Sequence, residues 1–248
     1  MPGVAYDGLP TSALSARLRT PGLVCLAAVG SALDELHRLA ADDAPAGTAV
    51  LADRQTRGRG RQGRAWESPA GQGVWLAYLM RPQAMETGVL ALRAGLAVAR
   101  AVEALGPRPR IKWPNDVMLG DRKLAGVLCE ARWSGGRPAW VALGIGINVT
   151  GPLPDELRRV GATLDEAVSA GRVDLLEHLM PLLHGLSGCA ELEPCERQAL
   201  AARDWLAGRR LSEPVAGTPR GLDAQGALLV ETENGMQRLT GGTIRLME

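Results

Sequence analysis

Five arginines, at positions 54, 57, 59, 61 and 64, fall within eleven residues, and glycines stand among them at 58, 60 and 63. So much like charge in one short stretch is unfavourable unless an anion neutralises it. Planar guanidinium groups grip carboxylate and phosphate oxygens two at a time, and glycine lets a backbone approach a ligand closely. The run Gln55-Thr56-Arg57-Gly58-Arg59-Gly60-Arg61-Gln62-Gly63-Arg64-Ala65-Trp66 therefore fits a phosphate-bearing ligand. It is expected to lack fixed structure until that ligand arrives. Two other readings of the composition stay open: a solvated basic loop, and contact with nucleic acid. One compact cluster, no interleaved aromatics and a net charge of +1 weigh against nucleic acid. The phosphate-binding pattern GxxxxGK[ST] does not occur.

Lys112 is the second candidate. It stands in Ile111-Lys112-Trp113-Pro114-Asn115-Asp116, between two large apolar residues. In a strand it points away from both, either into solvent or into a site with an anionic partner. Pro114 ends the regular ladder, and Asn115 and Asp116 can offer an amide and a carboxylate at the strand end. Lys123 returns toward the same mouth if Gly120-Asp121 is a turn. Gly144-Ile145-Gly146-Ile147-Asn148 reads as a strand with two glycines, where a ligand or another backbone comes close. No Ser–His–Asp or Cys–His set accompanies these residues, so a covalent protein nucleophile is not indicated. Positioning and charge stabilisation of a phosphoryl-type transition state remain.

The elements that must carry these residues are legible in the apolar pattern. Strands are expected at Leu23–Val29, 48–52, 74–80, 110–113, 124–132 and 138–147. Ser31 to Asp34 has the form of a helix cap, hydroxyl first and carboxylate three residues later. Leu33, Leu36, Leu39 and Ala40 follow at helical spacing. A second helix runs from about Gly88 to Leu105. Residues 53–73 read as a long polar loop, and helical patterns dominate 153–206. From Gly208 the composition shifts to short strands at 211–216, 227–231, 236–240 and 243–247, with turns at 223–226 and 233–235. This predicts an α/β (α+β) chain: an N-terminal extension over 1–22, loop with one short helix, a catalytic domain over 23–206 and a small barrel over 207–248.

Bulk properties narrow the class. The opening Met1-Pro2-Gly3-Val4 starts no secretory signal, and the most apolar stretch is broken by Arg93, Arg100 and Glu103, a poor membrane span. Cys25, Cys129, Cys189 and Cys195 show no CxxC spacing and read as reduced thiols of a cytoplasmic protein. His37, His178 and His184 have no neighbouring ligand set, which argues against zinc.

Four segments, GRGRQGRAW (58–66), KWPNDV (112–117), KLAGVLCE (123–130) and GIGINV (144–149), resemble the motif set of biotin–protein ligases, in family order. Residues 208–246 are similar to that family's small C-terminal SH3-like domain, and the likeness spans about 22–247. The resemblance implies a mixed central sheet flanked by helices, the fold shared with lipoate ligases and class II tRNA synthetases. It implies that biotin attacks the α-phosphorus of Mg2+-ATP to give biotinoyl-5′-AMP, and that a lysine of a biotin carboxyl carrier protein then takes the biotin. Carried over, Ser31, Gln55, Arg59, Gly60, Arg61 and Lys112 would line biotin and the adenylate, with Gln55 at the ureido ring. Lys112 and Arg61 would act in catalysis. Arg64, Trp66, Asn115, Asp116, Lys123 and Asn148 would serve the nucleotide. No tightly bound prosthetic group and no resident metal are implied beyond the Mg2+ that accompanies ATP.

Two departures qualify the likeness. The family's Ser-Thr-Asn triplet at the first helix is Ser31-Ala32-Leu33 here, and one lost hydrogen bond to a buried ligand costs roughly 1 kcal/mol. Weaker biotin binding is expected, or a substitute donor. Only about 22 residues precede the first catalytic strand, too few for the winged-helix DNA-binding domain of bifunctional members; repression and DNA binding are not expected. Two alternatives are a lipoate-type acyl ligase on the same fold and a non-catalytic biotin or adenylate sensor. No membrane partner is expected, and exposed edges of a mixed sheet leave room for a homodimer.

Overall fold

The computed structural model describes residues 5–82 and 87–247; the Met1–Val4 start read above lies outside them. The chain opens with a hairpin, β1 (Ala5–Tyr6) and β2 (Leu9–Pro10), and helix α1 (Thr11–Leu18). Then come β3 (Leu23–Val29), α2 (Ala32–Ala41), β4 (Ala49–Gln55), β5 (Gly73–Met80) and α3 (Thr87–Ala104). Four strands complete the main sheet: β6 (Arg110–Lys112), β7 (Asp116–Leu119), β8 (Arg122–Ser134) and β9 (Arg137–Asn148). Helices α4 (Arg172–His184) and α5 (Pro194–Ala201) lead to β10 (Leu211–Glu213), β11 (Thr218–Leu222), β12 (Leu228–Thr232), β13 (Gly235–Leu239) and β14 (Arg245–Leu246).

The expected α/β architecture with a mixed central sheet is present. Seven strands lie in the order β3-β4-β5-β9-β8-β7-β6. Only β3 and β4 run parallel, and α2 is the crossover that a parallel pair requires. Alternation along the strands gives each face its own core. Leu51, Val74, Leu76 and Tyr78 join α1, α3 and α4 on one face. Val50, Ala52, Trp75, Ala77 and Leu79 meet α2 through Leu33, Leu36 and Ala40 on the other. Helix α3 is buried over most of its surface, as suits a helix enclosed by sheet and other helices.

Several expectations need correction. The N-terminal stretch adds a hairpin to the expected helix, and it is anchored: Tyr6 is buried and Arg172 pairs with both Asp7 and Asp53. Helix reading over 153–171 fails. Pro152, Pro154, Gly161 and Gly171 break the apolar spacing into turns, with one 3-10 turn at Leu164–Glu166. The strand at 116–119 is four residues long between two turns, too short for its apolar period to announce it. At the C-terminus, β11-β12-β13 and β10-β14 form two small sheets, touching through a bridge between Leu211 and Gly217. Among the described residues they do not close into a barrel.

The β6 edge is covered. Ile111 N donates to Arg203 O at 2.7 Å, and Trp205 N donates to Ile111 O at 3.0 Å. Residues 203–205 thus occupy the hydrogen-bonding positions that an edge strand would offer a second chain, and the room left for sheet pairing lies at β3.

All four cysteines are free; Cys25 is buried and Cys189 and Cys195 are exposed. Among the described residues no helix is long and apolar enough to cross a membrane.

Candidate active site

One row of cross-strand neighbours runs through the α2 face of the sheet: Lys112, Asp116, Gly126, Gly146, Trp75 and Ala52. Side chains in such a row point the same way. The two glycines in its middle leave the floor bare, and a cleft of about 450 Å³ opens above them. Every residue assigned a role from the sequence lines it: Ser31, Gln55, Arg59, Gly60, Arg61, Arg64, Trp66, Lys112, Asn115, Asp116, Lys123 and Asn148.

The glycines are there for protein as much as for ligand. A Cβ on Gly146 would come within 2.5 Å of Trp66 Nε1, and one on Gly144 within 2.7 Å of Leu33 Cδ1. Trp66 therefore lies on the sheet floor, with its indole Nε1 buried and without a hydrogen-bond partner. The Lys123 ammonium sits 5.0 Å above that ring and 2.7 Å from Asp116 Oδ1.

Lys112 projects as its neighbours dictate. Ile111 and Trp113 are buried on the opposite face, and Lys112 enters the cleft. Its ammonium lies 4.9 Å from the Trp205 ring centroid, and the Arg209 guanidinium lies 3.9 Å from the same centroid. Burial pushes the Lys112 pKa down; Asp116 opposes this, while Lys123 and Arg209 add to it. A desolvated cation among other cations is stabilised by an incoming anion. Neither Trp205 nor Arg209 was singled out from the sequence. They reach Lys112 only because 203–205 pairs with the β6 edge, a contact that no local pattern announces.

The arginine loop is folded. Trp66 N donates to Gly58 O, Gly60 N donates to Arg64 O, and Arg59 and Ala65 form a bridge. Its charges are handled unequally. Arg59 donates Nε and Nη2 to the two oxygens of Glu130, at 2.7 and 2.9 Å, and Nη1 to Asp34 Oδ1 at 2.7 Å. The anion expected for this arginine is thus supplied by the protein, and Arg59 ties the loop to α2 and β8. Arg61, by contrast, meets a neutral partner, Asn115 Oδ1, at 3.0 Å. Asn115 in turn donates Nδ2 to Val127 O, fixing the β6–β7 turn against β8. Arg64 reaches Thr243 Oγ1 at 3.0 Å, so the C-terminal strands help wall the cleft. Asn148 donates to Ala162 O and steadies the turn region beyond β9.

Glu130 is central to the loop's anchorage. His37 Nδ1 accepts from Trp140 Nε1 at 2.9 Å, leaving Nε2 to donate to Glu130 Oε2 at 2.8 Å. Hydrogen bonds from His37 and Arg59 pull the Glu130 carboxyl down to about 2 from 4.5. Its folded value is depressed, so the contribution is complete above pH 4.5 and fades as pH falls toward 2. Glu130→Gln should therefore free the loop at neutral pH and remove that contribution: tryptic cleavage after arginines 57–64 is expected to accelerate several-fold, with a fall in melting temperature that shrinks as pH is lowered toward 2. An unchanged cleavage rate would refute the anchoring role.

The Ser31 end departs from expectation. Ser31 is the N-cap of α2 by position but its side chain makes no cap bond. The Ala32 N–H is covered from the end of the neighbouring strand β4 by Gln55 Oε1 at 2.8 Å, and Gln55 Nε2 donates to Ser68 Oγ at 2.9 Å. Asp34, the expected capping carboxylate, faces Arg59.

Comparison with known proteins places the chain in a class and then in a family. The sequence models of the Biotin/lipoate A/B protein ligase family and of the Biotin protein ligase C terminal domain match residues 32–148 and 208–247. The bifunctional ligase/repressor BirA of Bacillus spizizenii is 34% identical over 236 residues, 88% of this chain and 72% of its own length. A biotin–[acetyl-CoA-carboxylase] ligase of Paracoccus denitrificans is 36% identical over 206 residues, 76% of this chain and 85% of its own length. The structure of the Aquifex aeolicus biotin protein ligase in complex with biotin and ATP superposes with a TM-score of 0.74 at 30% identity, covering 91% of this chain and 98% of that one. The chain belongs to the biotin–protein ligase family, and it is a ligase.

Proposed function

We propose that the protein is an ATP-dependent biotin–protein ligase that makes biotinoyl-5′-AMP and passes biotin to a lysine of a biotin carboxyl carrier protein domain in the cytoplasm. The observation that carries this reading is the desolvated Lys112 ammonium, facing a cleft whose cations outnumber its carboxylates. Such a group stabilises charge that develops in a transition state without having to reorganise. A biotin carboxylate oxygen attacks the α-phosphorus of ATP, the bond to the β-phosphate bridging oxygen breaks, and pyrophosphate leaves. Lys112 neutralises the carboxylate and the α-phosphoryl oxygens as they meet. Arg61, held by a neutral amide, retains its charge for the same oxygens.

Trp66, Lys123 and Asp116 serve the nucleotide end, with Asn115 and Asn148 positioning backbone around it and Arg64 closing it from the C-terminal side. Arg59 and Gly60 shape the loop over the adenylate. Among the described residues no group of three or more His, Cys, Asp or Glu side chains gathers, so Mg2+ is proposed to arrive on the ATP phosphates as part of the substrate. In the second half-reaction the acceptor lysine amine attacks the acyl carbon and AMP departs. Residues 23–206 are proposed as the catalytic domain and 207–248 as a domain that walls the nucleotide end. Purified protein given labelled biotin, Mg2+-ATP and a carrier domain should label one lysine; binding of biotin without any transfer would overturn the enzymatic reading in favour of a sensor.

A further inference from the structure

Lys112 has a carboxylate for a neighbour and does not use it. Its cross-strand partner on the same face is Asp116, and opposite charges so placed ordinarily attract and pair. Here Lys123 occupies that carboxylate, Nζ to Oδ1 at 2.7 Å. Among the described residues the Lys112 ammonium makes no hydrogen bond and no ion pair; what it meets is the Trp205 ring, 4.9 Å from the centroid. A ring face attracts an ammonium without supplying an oxygen. The charge is thus neither neutralised nor hydrogen-bonded before an anion arrives.

Trp205 is fixed at both ends. Its backbone N–H donates to Ile111 O at 3.0 Å, one residue before Lys112, and its indole Nε1 donates to Gly120 O at 3.1 Å, in the turn between β7 and β8. The residue is 5% exposed and lines the cleft. Arg209 lies over the same ring at 3.9 Å and is paired in turn with Asp121.

We propose that Trp205 is a positioning residue for acid activation: its ring, with Arg209 lying over it, draws Lys112 away from Asp116 and holds the ammonium where incoming carboxylate and phosphoryl oxygens meet it. The inference rests on the reading of the cleft as an acid-activating site with Lys112 at its centre. Without the ring, Lys112 turns to the carboxylate across the strand pair or spreads over rotamers. A displacement of about 1 Å at a reacting centre costs up to about 100-fold. The charged groups that face Lys112 are Asp116 on β7, Lys123 on β8 and Arg209 beyond the 203–205 segment, and Arg209 disfavours the ammonium.

ATP–pyrophosphate exchange with biotin, measured as a double-mutant cycle, tests this. Trp205→Leu should lower kcat/KM for biotin by about tenfold or more, and Trp205→Phe, which keeps a ring, should recover most of the loss. In a Lys112→Ala background, Trp205→Leu should cost less than about twofold, because no ammonium is left to position. Equal losses in the two backgrounds are what a merely structural side chain gives, and they would overturn the proposal. If Trp205→Leu does not fold, Arg209→Met decides, since it keeps the apolar stem over the ring and removes the charge. The alkaline decline of exchange should then move to higher pH: a like charge has gone, and Asp121, left unpaired, acts in the same direction. A decline that stays in place would overturn the assembly proposed for Lys112. Absence of exchange in the wild-type protein would instead remove the acid-activating reading, and this inference with it.

Discussion

Lys112→Ala is expected to lower the rate of adenylate formation by about 100- to 1,000-fold, the range found when one preorganised electrostatic donor is removed from an active site, while the fold persists. Lys112 has no hydrogen bond to lose, and its contact with Trp205 is a cation–π interaction of about 1–2 kcal/mol at a half-buried site. The loss therefore belongs in kcat and not in melting temperature. The pH profile adds a signature that a structural residue would lack. Burial lowers the Lys112 pKa from 10.5; the charged form is the useful one, so activity should fall as pH rises, with a midpoint below that value. Lys112→Arg keeps its charge to higher pH and should move the alkaline decline upward even if its turnover is lower. Unchanged exchange kinetics in Lys112→Ala would remove this residue from the mechanism.

Arg93→Ala should be the most destabilising single truncation, by about 3–5 kcal/mol, the usual cost of breaking a buried ion pair from one side. The guanidinium is 1% exposed in its side chain and lies within helix α3. It donates to both oxygens of Glu196 and to the carbonyls of Ser187, Cys189 and Glu191. Truncation leaves a half-buried carboxylate and three carbonyls without this donor. Glu191 and Leu192 lie in the segment so fastened, and they contact Gln225 and the Ala224 carbonyl. The C-terminal sheets should thus loosen together with it. A urea midpoint within the error of wild type would show that the network contributes nothing net.

Much of this architecture could be read from residue order. The strands at 23–29, 74–80 and 138–147 and the helix beginning near Gly88 announce themselves by apolar period, and the structure places them within a residue or two. Lys112 was legible because Ile111 and Trp113 must share the opposite face. The unread parts have a common cause: they depend on partners distant in sequence. Thr218–Leu222 contains Pro219 and Gly221, poor strand residues that pair only because β12 lies beside them. The cap of α2 could not be foreseen at Gln55, twenty-three residues beyond Ala32. By residue order alone the loop arginines form one cationic group seeking an external anion. Separating Arg59, which has Glu130 and Asp34, from Arg61, which has a neutral amide, required the fold. Glu130 closes the KLAGVLCE segment, but nothing local shows what it faces.

The most direct test of the central claim is to capture the intermediate. Protein mixed with biotin and ATP labelled in the α-phosphate, without acceptor, should release pyrophosphate and hold the label as an acid-stable, amine-reactive biotinoyl adenylate, and Lys112→Ala should yield far less under the same conditions. Pyrophosphate release with no adenylate, or equal adenylate yield from the variant, would contradict the account.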